Sequence, residues 1–115
     1  MDVLIFPNDK DGNMLRGMHD KGDDLSIPRD IEFSVVFPDS NSVQEFGSYF
    51  YHLDFDVRAK KIGKVSSLPW SVIITLNIAP TYEGITAFQQ KLEKVAAPLG
   101  GRNYGWSCFS EEPST

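Results

Sequence analysis

The sequence predicts an α+β fold in which two helices cover one face of a four-stranded antiparallel sheet, preceded by a short amino-terminal helix. Three observations carry this expectation. Apolar and polar residues alternate in four segments, the first being Ile31, Phe33, Val35 and Phe37 with Glu32 and Ser34 between them, which is the period of a half-buried strand. Between the strands, Val43, Phe46 and Phe50, and later Ile85, Phe88, Leu92, Val95 and Ala96, recur at helical spacing and form apolar stripes that need a core to lie on. Prolines and glycines mark the joints, at Pro38, Pro80, Pro98 and the pair Gly100 and Gly101, where regular structure is interrupted.

Taken in order, the first element is a short capped helix over residues 13–21. Asp9, Asp11, Gly12 and Asn13 precede Met14, Leu15, Arg16 and Met18, and Gly22 follows, so acidic residues stand at the positive end and a glycine at the stop. Residues 23–28 read as a loop, because aspartates favour turns and Pro28 biases Ile27 toward extended geometry. The strand from Ile31 ends at Pro38. Asp39, Ser40, Asn41 and Ser42 offer N-caps to a helix whose stripe continues to Leu53. Phe55, Val57 and Ala59 alternate with Asp56, Arg58 and Lys60, and Trp70, Val72, Ile74, Leu76 and Ile78 alternate again. These two segments predict a hairpin with a long, mobile connection. Thr81 caps the second packing helix, whose stripe closes at Leu99. On the final strand Tyr104, Trp106 and Cys108 share one parity, and residues 110–115 are too polar to order.

Strand, helix, strand, strand, helix, strand is the split βαβ order, βαββαβ, of ferredoxin-like domains. The 115 residues, 41% of them hydrophobic, suffice for one domain with its own core over 29–109. Helices on one face leave the other without cover, and Val36 and Ile73 are the apolar residues expected there. A monomer and a homodimer are both compatible with such a face.

Composition excludes several classes. Cys108 is the single cysteine, so no intramolecular disulfide forms, and with only His19 and His52 beside it there is no zinc spacing. Neither a metal nor a cofactor is expected. Val3 to Phe6 is too short an apolar run for a signal peptide, and no stretch approaches the ~20 residues that span a bilayer, which points to the cytoplasm. The net charge of −5 disfavours phosphate neutralisation and favours a protein partner over direct nucleic-acid binding.

Few constellations suggest chemistry. Asp9, Asp11, Gly12 and Asn13 superficially resemble a calcium loop, but the glycine comes too early. Cys108 with His52 or His19 has no motif that pairs them. Asp23 and Asp24 are adjacent, which does not make them face one substrate bond. No catalytic residue is assigned. Arg58, Lys60, Lys61 and Lys64 form the one basic cluster and leave open a ferredoxin-like RNA- or small-molecule-binding module with a different partner. The strand from Trp70 lacks the basic and aromatic pattern of RNA recognition domains. Tyr104 and Trp106, set after the paired glycines and separated by Gly105, are either core or an interface anchor.

Three short motifs together resemble the bacterial regulator of ribonuclease E activity B (RraB) family, the ribonuclease E inhibitors. They are Gly22, Asp23, Asp24, Leu25, Ser26, Ile27, Pro28 and Arg29; Ala79, Pro80 and Thr81 with Ile85 and Thr86; and Tyr104, Gly105 and Trp106. The likeness spans residues 7–109. It implies a non-catalytic domain without cofactor that binds the endoribonuclease as a protein ligand, lowers its cleavage of RNA and alters transcript abundance. The surface expected to meet that partner comprises Asp23, Asp24, Arg29, Tyr104 and Trp106.

Overall fold

The alternation that begins at Ile31 forms β1 (Arg29–Phe37), the strand at the heart of the fold. In the computed structural model, which describes residues 6–62 and 67–108, Ile31, Phe33, Val35 and Phe37 are all fully buried. The remaining elements are α1 (Lys10–Asp20), α2 (Ser40–Tyr51), β2 (Asp56–Lys61), β3 (Trp70–Ile78), α3 (Tyr82–Ala96) with a short 3₁₀ turn (Ala97–Leu99), and β4 (Arg102–Cys108). The sheet has the order β2-β3-β1-β4, with every neighbouring pair antiparallel. This is the α+β, ferredoxin-like arrangement that the element order implies. The β1–β3 register runs from Arg29 opposite Ile78 to Phe37 opposite Trp70.

Asp39 and Thr81 cap α2 and α3, accepting from the backbone N–H of Ser42 at 2.8 Å and of Gly84 at 3.1 Å. Val43, Phe46 and Phe50 of α2 and Ile85, Phe88, Leu92 and Ala96 of α3 then bury against the sheet. A chain of rings joins the layers, running Phe37, Phe46, Phe50, Phe55, Phe88 and Phe33 with successive centroids 4.7 to 5.6 Å apart, within the range of favourable aromatic pairs. Close approach at the end of α3 requires a glycine: a Cβ on Gly101 would lie 2.3 Å from the Phe37 ring.

Three boundaries differ from expectation. The first helix starts at Lys10, three residues earlier than 13, because Asp9 is its N-cap and accepts from Gly12 N–H at 2.8 Å. Leu53 leaves the α2 stripe and is 47% exposed. The cause is a left-handed residue, Asp54 with φ +67°. Asp54 N–H donates to the Tyr51 carbonyl and Phe55 N–H to the Phe50 carbonyl, the bond pair of a Schellman helix end. Phe55 takes the inward place instead, packed on Phe50, and β2 begins one residue later, at Asp56. Most of the expected mobile connection, like Lys64 and the tail at 110–115, lies outside the described residues.

Val36 and Ile73 do lie on the face away from the helices, where Val36 is buried and Ile73 half-buried. Their neighbours there are polar. Arg58 pairs with Glu32, and Asn77 donates to Asp30 at 2.9 Å.

Candidate functional site

The antiparallel pairing of β1 with β3 dictates where two distant parts of the sequence meet. Arg29 opens β1 and lies opposite Ile78, which closes β3. The loop entering β1, residues 22–28, is therefore brought beside the segment leaving β3 and starting α3, residues 79–83. Between them is a cleft of about 680 Å³, lined by Phe6, Leu25 and Pro80 on its apolar side and by His19, Asp24 and Glu83 among its polar groups.

The loop wall is held rigidly. Gly22, at φ +93°, ends α1: its N–H donates to the His19 carbonyl at 3.0 Å and Asp23 N–H to the Met18 carbonyl at 3.1 Å, again a Schellman pair. The Asp23 carboxylate then meets Arg29 Nη1 at 2.9 Å, with the two side chains 1% and 3% exposed. The same guanidinium donates to the carbonyls of Asp24 at 2.8 Å and Ile27 at 3.2 Å, so one side chain fixes three points of the loop. Asp24 Oδ1 accepts from Ser26 Oγ at 2.6 Å and Ser26 N at 3.0 Å. Those two bonds hold its carboxyl below the usual carboxylate range.

Tyr104 and Trp106 lie elsewhere, on β4. The expected shared parity is broken by a bulge: Ser34 pairs with Gly105 but Val35 pairs with Asn103, leaving Tyr104 as the extra residue. Gly105, at φ +133°, accommodates the distortion. Trp106 consequently faces the core opposite Phe33 and is 8% exposed, whereas Tyr104 is 69% exposed. The Trp106 indole N–H donates to Asp11 Oδ1 at 2.9 Å, and Gln89 Nε2 donates to the other oxygen of that carboxylate at 2.8 Å. Tyr104 borders a hollow of about 380 Å³ shared with Lys10, Met14 and Ser34.

The structure thus brings Asp23, Asp24 and Arg29 together at one place, and at another the bulge turns Tyr104 to solvent and Trp106 to the core. Helix α1 links them, since His19 near its end lines the cleft and Lys10 at its start lines the hollow. Those residues are separated by about 14 Å along the axis. Sequence reasoning passed over Asp11 as a tether and Phe6, Tyr82 and Glu83 as cleft residues. The available signal was that the first two short motifs flank the paired ends of two central strands.

Among the described residues no cluster of His, Cys, Asp or Glu is arranged to hold a metal ion, and no helix is long and apolar enough to cross a membrane. His52 follows α2, which packs over β2 and β3, while Cys108 lies on β4 at the other side of the sheet. The outward positions of the central strands are Asp30, Glu32, Ser34 and Val36 on β1 and Ser71, Ile73, Thr75 and Asn77 on β3. They include no aromatic ring on which a base could stack, and two carboxylates that repel phosphate.

Fold and site together define a ferredoxin-like α+β domain with an additional amino-terminal helix and an acidic-edged surface cleft. The family model described as regulator of ribonuclease activity B matches residues 8–108. The chain belongs to that family of ribonuclease regulators. A search of curated proteins gives no match.

Proposed function

We propose that this chain is a non-catalytic regulator that binds an endoribonuclease of the ribonuclease E type as a protein ligand and lowers its access to RNA in the cytoplasm. The observation that carries the reading is family membership over residues 8–108, supported by the meeting of two family-like motifs in one cleft. Of the five residues assigned to the partner surface, Asp24 and Tyr104 offer side chains for contact. Asp23 and Arg29 set the shape of the loop that presents Asp24, and Trp106 anchors the strand that presents Tyr104. A net charge of −5 suits a basic, RNA-binding segment of the enzyme, where the regulator competes with RNA sterically and electrostatically.

Purified endoribonuclease of this type, titrated with the chain, should be captured in nuclease-treated solution and cleave a labelled transcript more slowly. Tyr104→Ala should weaken capture about tenfold, the order expected of an exposed aromatic anchor, with an unchanged melting temperature. No capture would remove this reading, and RNA binding by the chain itself that falls steeply with salt would replace it with that of an RNA-binding module.

A further inference from the structure

We propose that the cleft between residues 22–26 and the start of α3 is a peptide-docking site that takes one large apolar side chain flanked by lysine or arginine. The inference rests on the reading that the chain acts by holding a protein partner, and it names the chemistry of the segment held.

The argument is one of shape and charge. A volume of about 680 Å³ falls within the ~300–1,000 Å³ typical of ligand pockets, enough for a bulky side chain and adjoining backbone. Phe6 and Leu25 supply apolar surface over the buried Pro80. Asp24 stands on one wall and the exposed Glu83 on the other. Among the described lining residues there is no lysine or arginine; the guanidinium of Arg29 is engaged by Asp23 and two loop carbonyls. An apolar groove between two carboxylates complements an apolar residue between two cations and rejects an acidic segment. The loop wall is already fixed by its own hydrogen bonds, so little ordering is required on docking.

The test uses the isotope-labelled full chain and three peptides, Lys-Arg-Phe-Arg-Lys, Lys-Arg-Ala-Arg-Lys and Glu-Asp-Phe-Asp-Glu, followed by amide chemical shifts. The first peptide should give saturable shifts centred on Gly22, Leu25, Ser26, Thr81 and Glu83. The alanine peptide should bind about tenfold more weakly, the acidic one should leave those amides unmoved, and Glu83→Lys should weaken the first peptide about tenfold. Equal responses to the phenylalanine and alanine peptides, shifts centred on the outward sheet face, or no response would overturn the assignment. So would concentration-dependent shifts of the cleft without peptide, which would make a second copy the occupant. Endoribonuclease capture unaffected by Glu83→Lys would also remove the cleft while leaving the regulatory reading intact. Peptide binding without endoribonuclease capture would remove the regulatory reading alone.

Discussion

Asp23 and Arg29 show how a charged residue can be prominent in a sequence and yet inaccessible in the fold. Their ion pair is almost wholly removed from water, and deleting one partner leaves the other charge buried, at a cost of about 3–5 kcal/mol. Arg29→Ala should therefore lower the urea midpoint sharply, and it should loosen the loop, because the Asp24 and Ile27 carbonyls lose their donor as well. Asp39 makes the opposite kind of contribution, at the surface. The Ser42 N–H, and after it the Ser42 hydroxyl, hold its carboxyl below the usual range. A carboxylate whose folded pKa is depressed stabilises the protein above its unfolded value, and that stability is lost as pH falls through the folded value. Asp9 and Asp24 are shifted in the same direction, so stability should decline below about pH 4. Asp39→Asn preserves an N-cap that does not titrate. Comparing urea unfolding at neutral and acidic pH should show a smaller acid-induced loss in this variant.

At the scale of elements, two departures from regular geometry decide which side chains reach the surface. The left-handed Asp54 directs Phe55 inward and leaves Leu53 outside. A left-handed conformation costs most residues about 1–2 kcal/mol, and aspartate less because its short side chain bonds locally, so Asp54→Gly should change the unfolding free energy in urea by less than about 1 kcal/mol once the greater freedom of glycine in the unfolded chain is subtracted. The bulge at Tyr104 does the same for β4, separating two aromatics that simple alternation places together. These two places explain what was legible in the sequence. Regular stretches announce themselves by period, so the strands from Ile31 and Trp70 and the stripes of α2 and α3 were readable directly. A single left-handed aspartate or an inserted strand residue leaves the composition unchanged while redirecting its neighbours, so simple periodicity places Leu53 inward and Tyr104 on the same face as Trp106. The start of α1 was misjudged because three acidic or amide residues compete for its cap, and hydrogen-bond geometry alone selects Asp9. The candidate site was half readable, since its two walls were visible as motifs but their proximity follows from strand pairing.

For the molecule as a whole, the tethering of α1 has a consequence for the order in which the structure assembles. Asp9 meets Tyr82, and Asp11 meets Gln89 and Trp106, partners 73, 78 and 95 positions away. Such contacts form only after long loops have closed. In native-state hydrogen exchange, the α1 amides should lose protection at lower denaturant than those of β1 and β3; coincident exchange would show one cooperative unit instead. During synthesis, α1 emerges first but must wait for α3 and β4 before it has a place to dock. One end of the cleft, including His19, waits with it. A partner that recognises the cleft as proposed would therefore meet it complete only once β4 has been made and seated, and its recognition would discriminate folded domains from nascent or partly opened ones.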